Sequence, residues 1–238
     1  MSVIPDSVAE RFIFKSDSAF SNLPENVKEV FLSQMIFKQF KKGQNIFTEG
    51  TYPAGIYFIK KGKVKKYKSL NGGKEQIIYV CSEGELLGYA AFLSEERYPD
   101  SAASLTDATI GFISKDKLLN LLDQYAELPR MLIKNLSHEF GVLVNFIATF
   151  TQKTVRERVA LTLLILQEKF KDNVDENNEI QIVLTRADFA NIVGTAVATL
   201  VRLLHEFKDE NLIRTQGRKI IIKDKLQLLE IADVADIF

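Results

Sequence analysis

The chain has 238 residues, with 31 Lys and Arg balanced by 31 Asp and Glu, 46% hydrophobic residues and 26% charged ones. That length suits one large domain or two small ones, and so much apolar side chain excludes a disordered polymer. A net charge of zero means that no global field dictates a nucleic-acid or membrane partner.

A single cysteine, Cys81, excludes an intramolecular disulfide framework. It also excludes an iron–sulfur cluster held by this chain's thiolates alone, which takes about four. The two histidines, His138 and His205, lie far apart in sequence and argue against a His-rich metal site. Residues 1–12 lack a basic region followed by an apolar one, and no apolar run nears the roughly 18 residues of a membrane span. A cytoplasmic protein with no membrane partner is therefore expected.

In chain order, the segment to about Phe37 reads as helical, with Asn22-Leu23-Pro24-Glu25 as its start signal. From Ile36 to Ile113 glycines recur between short β-rich runs. Ile56–Ile59 and Gln76–Val80 are strands by composition, and Asn71-Gly72 is a hairpin signal. Short strands at even spacing predict a barrel or jelly roll. The spacing from Leu128 to about Thr154 predicts one long helix. On it Ile133, Leu136, Phe140, Leu143, Ile147 and Phe150 step by 3, 4, 3, 4 and 3, a 3.5-residue seam that predicts pairing with a second copy. Packing of the seam on the chain's own barrel is the alternative.

Val155–Phe170 reads as an apolar helix and Asp172–Glu179 as an acidic loop. Thr185–Val193 and Thr195–Phe207 read as two short helices hinged at Gly194. Leu212–Ile222 reads as strand, turn and strand, and a helix over Lys225–Ile231 follows. Small Ala190 and turn-forming Gly194 stand where a helix-turn-helix needs them. In the second helix Thr195, Thr199 and Arg202 are expected to face outward, and Leu200, Leu203 and Leu204 inward. The hairpin with its basic tip at Gly217-Arg218-Lys219 makes a wing, so the predicted whole is a winged helix-turn-helix that reads double-stranded DNA. Against this, residues 154–238 carry 12 Lys and Arg but 14 Asp and Glu. Arg186, Arg202, Arg214, Arg218, Lys219 and Lys223 must then make a basic face on an acidic domain. A packed helical hairpin without a DNA role is the competing reading.

Gly84, Glu85, Leu86, Leu87 and Gly88, followed by Asp100, Ser101 and Ala102, place glycine-bracketed amides before a small-residue run. That arrangement can cradle a phosphate, although tight turns in a β-barrel explain it equally well. No Ser/His/Asp or paired-carboxylate constellation stands out, so no catalytic site is expected, and the shortage of histidines counts against a β-roll metalloenzyme.

In this order of parts the chain resembles the CRP/FNR family of bacterial transcription regulators over nearly its whole length. The resemblance rests on Lys41–Gly50, Ile56–Val64, Gly84-Glu85-Leu86, Leu184–Gly194 and Glu210–Ile213. It implies an α+β fold: an N-terminal double-stranded, jelly-roll-like β-roll, a long dimerisation helix and a C-terminal winged helix-turn-helix. The expected boundaries are 1–127 for an effector domain like those that bind cyclic nucleotides, 128–154 for the helix and 155–238 for the DNA-binding domain. Double-stranded DNA, a second copy of the chain and RNA polymerase are the partners implied.

Departures from the family pattern carry the mechanistic expectations. The cAMP-binding members end the cassette with an arginine that pairs with the cyclic phosphate, whereas this sequence has Asp100. The polar pair that meets adenine is replaced by Leu143 and Val144, while Glu85, the family's ribose contact, is kept. cAMP is therefore not expected to bind in the usual way, and an unidentified small molecule or no effector remains. The cysteines of the oxygen-sensing branch and a haem-ligating histidine in the roll are both missing. On the recognition helix Val197 and Ala198 replace the usual Arg-Glu, leaving Arg202 to reach guanine. Thr185, Arg186, Thr195 and Thr199 resemble backbone- or base-contacting positions, with Arg218 and Lys219 on the wing. A small-molecule module that has lost DNA binding is the rival.

Overall fold

The computed structural model describes Val8, residues 11–14, residues 20–69 and residues 73–234. These fall into two compact units. Phe14–Gly141 forms one, and Val142–Phe238 with Met1–Ile13 forms the other.

The first unit is built on two antiparallel four-stranded sheets. One has the order β1 (Ile36–Phe40), β8 (Ala108–Ser114), β3 (Gly55–Lys61), β6 (Leu86–Leu87); the other β2 (Asn45–Phe47), β7 (Ser101–Ser104), β4 (Val64–Ser69), β5 (Glu75–Cys81). Apart from β4 and β5, strand neighbours are thus distant in sequence, as in a jelly roll. β4 and β5 pair from Val64↔Cys81 to Ser69↔Glu75, although the Asn71-Gly72 signal itself lies outside the described residues. Helix α1 spans Glu25–Ser33, within the expected start signal, but Pro24 is its N-cap rather than a residue of the first turn. The helical reading to Phe37 is too long. Ile36 and Phe37 open β1, whose pairing with β8 supplies backbone hydrogen bonds that a further helical turn would forfeit.

Three short elements close the unit's core: α1, α2 (Tyr89–Ser94) and α3 (Lys115–Gln124). Val27 and Phe31 pack with Ile56, Phe58, Tyr89, Ile113, Leu118 and Leu121, and Leu128, Met131 and Leu132 join them from helix α4 (Glu127–Gln152). The boundary between the two units cuts α4 after Gly141.

In the second unit α5 (Val155–Lys169) buries Val159, Leu161, Leu163, Leu164 and Leu166, which point in several directions around its axis. A helix apolar nearly all round forms the centre of a domain. Around it lie α6 (Arg186–Val193), α7 (Val197–Asp209), α8 (Lys225–Ile231) and a three-stranded sheet ordered β10 (Ile213–Gln216), β11 (Lys219–Ile222), β9 (Ile182–Val183). The two-residue strand β9 has no periodicity to announce it. It exists because β11 offers it a partner, Ile220↔Ile182.

Candidate nucleic-acid interface and effector pocket

The helix-turn-helix is fixed locally. Thr185 caps α6: its hydroxyl accepts from Asp188 N at 3.0 Å and lies 2.6 Å from Asp188 Oδ2. Gly194 ends the helix at φ 69°, a left-handed conformation costly for any residue with a Cβ. The helices α6 and α7 are bent 97° to one another, within the range of helix-turn-helix motifs. Phe189, Ala190, Leu200, Leu203, Leu204 and Phe207 are buried between and beneath them. Arg158, which sequence reasoning did not single out, ties α5 to the turn. Its Nε donates to Val193 O at 3.1 Å and its Nη2 to Gly194 O at 3.3 Å.

α7 presents Val197, Ala198 and Arg202 to solvent, with Thr199 half-buried. Thr195 is not on the helix as expected. It sits between Gly194 and Ala196, the N-cap of α7, because the turn takes three residues to redirect the chain. Arg202 forms an ion pair with Glu206, one turn on, and Glu206 also lies 3.5 Å from Arg156. Arg186 is half-buried, and its Nη2 donates to Gly217 O at 3.0 Å, bracing the wing turn. Burial holds its pKa below the ordinary arginine value.

The expected basic face is smaller than the sequence suggests. Arg214 and Lys223 both pair with Glu179, at 2.5 and 2.9 Å, so the acidic loop neutralises the stem of the wing. Arg218 and Lys219 at its tip are exposed and, among the described residues, engage no acidic side chain.

In the first unit the cassette residues are consumed by the fold. Gly84 N donates to Ile59 O at 2.8 Å, and Glu85 N to Ser82 O at 3.2 Å. Ser82 N donates to Glu85 Oε1 at 2.9 Å, so Glu85 acts as a turn carboxylate. Leu86 and Leu87 pair with Phe58 and Tyr57. Ser101 Oγ accepts from Glu49 N at 2.9 Å, and Ala102 is buried in β7. Gly88, at φ 78°, meets the Tyr98 ring so closely that an added Cβ would stand 3.0 Å from Cε1. The amides at Gly84 and Glu85 that could have cradled a phosphate are therefore already spent on turns.

Asp100 faces a cavity of about 20 Å³, lined also by Phe14, Lys66, Cys81, Tyr89, Tyr98 and Glu139. That is room for one water molecule. Asp100 lies 3.3 Å from Lys66 Nζ. Burial would lower the Lys66 pKa, but Asp100 and Glu139 outweigh it and hold the ammonium above its ordinary value. Burial, with Glu139 beside it, pushes the Tyr89 phenol far up. Glu85, Asp100 and Glu139 are all buried. Phe14, Lys66, Tyr89 and Glu139 escaped the sequence reading because no local pattern marks them; only the fold brings these distant positions together. Leu143 and Val144 belong to the other unit and are exposed in the single chain.

The seam residues of α4 are exposed too. Ile133, Phe140 and Ile147 are 62%, 70% and 65% accessible, and Leu136, Leu143 and Phe150 are also uncovered. Within the first unit, Ile133, Leu136 and Phe140 do not pack on the roll; Leu128, Met131, Leu132 and Asn135 occupy the buried face instead.

Two known families match this layout. The cyclic nucleotide-binding domain family matches residues 37–125, and the Crp-like helix-turn-helix domain family matches residues 157–231. The chain belongs to the CRP/FNR family of transcription regulators. Its relatives include the fumarate and nitrate reduction regulatory protein of Vibrio cholerae, 28% identical over 83% of this chain and 79% of that one. The transcriptional activator protein anr of Pseudomonas aeruginosa is 27% identical over 81% of this chain and 78% of that one. Among solved structures, a CRP/FNR family regulator from Thermus thermophilus has a TM-score of 0.72 at 22% identity, covering 83% of this chain and 98% of that chain. The c-di-GMP responsive regulator CLP of Xanthomonas campestris has a TM-score of 0.70 at 18% identity, over 84% of this chain and all of that one. Like its relatives, this CRP/FNR protein is a DNA-binding transcription regulator. An iron–sulfur cluster does not fit this chain's own thiolates, since Cys81 is its one cysteine and is buried.

Proposed function

We propose that this CRP/FNR protein acts as a homodimer that binds DNA without cAMP. The observation that carries the reading is the roll's pocket, which is filled and acidic. A cavity of about 20 Å³ has no room for a nucleotide, and Asp100 stands, by the family resemblance, at the position of the phosphate-binding arginine. Glu85, Asp100 and Glu139 against Lys66 would repel an anion from a partly desolvated site.

For DNA, the exposed tip residues Arg218 and Lys219 take the phosphate-contacting role. Arg202 reads a base once it exchanges Glu206 for guanine. Val197 and Ala198 offer apolar surface suited to a thymine methyl. With so few free cations, each monomer makes few phosphate contacts, and two copies on an inverted repeat supply the rest. The partners are thus double-stranded DNA and a second copy; RNA polymerase is the further partner that a regulator of transcription needs. The protein works in the cytoplasm and catalyses no reaction.

The test is a salt series of DNA binding by the full chain to fragments of its own genome, with and without cAMP. The expected result is retention at low salt, loss at high salt and no response to cAMP. Arg202→Ala should cost about 1–3 kcal/mol on the preferred site and little on random DNA. Tightening by cAMP would overturn the pocket reading, and no DNA retention at any salt would overturn the DNA reading.

A further inference from the structure

The N-terminal segment carries a side chain into the roll. Phe14 is buried, with its ring stacked on Tyr79 at 3.6 Å between centroids and 19° between planes. Its backbone N–H donates to the Tyr79 hydroxyl at 2.6 Å. It lines the same cavity as Lys66, Tyr89, Asp100 and Glu139, and leaves only about 20 Å³ empty. Two residues earlier, Phe12 is buried edge-on against Phe146, at 5.6 Å and 72°, and the Arg11 carbonyl accepts from Asn145 Nδ2 at 3.1 Å. Phe146 and Asn145 are α4 residues of the DNA-binding unit. Residues 11–14 therefore have one anchor in each unit, joined by the covalent chain.

We propose that Phe14 is a built-in ligand of the roll, and that removing its ring opens a binding site for a small neutral aromatic molecule that then controls DNA binding. This rests on the reading above that the regulator binds DNA without cAMP. The chemistry of the ligand follows from the walls. The Tyr79 face, Tyr89 and Leu86 receive an aromatic ring, while Asp100 and Glu139 turn away anions. A ligand biases a two-state protein only through tighter binding to one state. A ligand tethered in the chain is present at high effective concentration, so that state is populated without any added molecule. The space freed by truncating Phe14 would be bounded by the Tyr79 ring that the phenylalanine now stacks on and, across the cavity, by Lys66, Asp100 and Glu139.

The experiment compares the full-length wild type with Phe14→Ala and Phe14→Leu, using toluene, the side chain of phenylalanine as a free molecule. Thermal melts read the site alone. Toluene should raise the melting temperature of Phe14→Ala and leave the wild type unmoved; no shift in Phe14→Ala overturns the site. DNA binding reads the coupling. Phe14→Ala should bind DNA about tenfold more weakly, within the usual range of coupling between two sites, and saturating toluene should restore it. A folded Phe14→Ala that binds DNA like the wild type, or one that toluene does not rescue, overturns the coupling. If Phe14→Ala does not fold, Phe14→Leu, which keeps apolar bulk but cannot stack on Tyr79, should still weaken DNA binding, and wild-type affinity in it overturns the proposal. Failure of the wild type to bind any DNA would instead sink the DNA reading, and the melts would still judge the pocket.

Discussion

At the scale of single residues, the roll turns on Lys66. It is the cation that answers Asp100 at 3.3 Å, with Glu139 on the same cavity. Removing one partner of a buried ion pair leaves an uncompensated charge, at a cost of about 3–5 kcal/mol when burial is complete. The Lys66 side chain is 21% exposed, so Lys66→Met should destabilise the protein by about 2 kcal/mol, read from denaturant melts. The pH dependence has a definite sign. The Lys66 pKa is raised in the folded state, so its contribution is full below the ordinary lysine value of 10.5 and is lost as pH rises through the folded value. The stability gap between wild type and Lys66→Met should accordingly hold steady at neutral pH and shrink in strong alkali. The sequence displayed Asp100 as a departure from a family pattern. It did not display Lys66, because β4 and β7 meet only through the pairing that sets Lys66 opposite Ala102.

At the scale of elements, α4 shows how one helix can serve two purposes. Its first turns bury Leu128, Met131 and Leu132 against the roll, while the 3-4 repeat from Ile133 to Phe150 looks outward. The seam was legible because steps of 3 and 4 alternate over its whole length, the repeat that suits helix pairing. The ends of helices were equally legible where capping chemistry is local. Thr154 caps α5 by accepting from Glu157 N at 3.3 Å, and Glu157 Oε2 accepts from Thr154 N at 2.8 Å, a complete capping box. Thr154→Ala should therefore lower stability by about 1 kcal/mol, measured by chemical unfolding, without altering the DNA site preference. The start of α7 was less legible. Thr195 reads as a good first residue, but the Gly194 turn defers the helix to Val197.

At the scale of the whole molecule, the outward seam is the feature that the proposed homodimer rests on. Seven large apolar side chains, from Ile133 to Phe150 and including Val144, are exposed on one helix, more than a solitary protein leaves in water at one place. In the homodimer proposed above, a second α4 would cover them with the same residues, as twofold symmetry requires. Phe140→Asp sets a charge on that seam. It should give a monomer by sedimentation at concentrations where the wild type is a dimer. Its affinity for an inverted repeat should fall on the order of 100-fold, as two linked sites become one. Binding to a single half-site should change little.

The sequence by itself determined the order of parts, the roll's main strands, the long helix with its seam, and the helix-turn-helix with its wing. Each of these rests on periodicity, turn chemistry or capping, which act between residues a few positions apart. Only the tertiary structure decided what fills the roll and how basic the DNA face is. Phe14 reaches Tyr79 across 65 residues, and Glu179 gathers Arg214 and Lys223 from 35 and 44 residues away. Such contacts follow from the path of the whole chain, because charge and shape act through space and leave no local pattern to read.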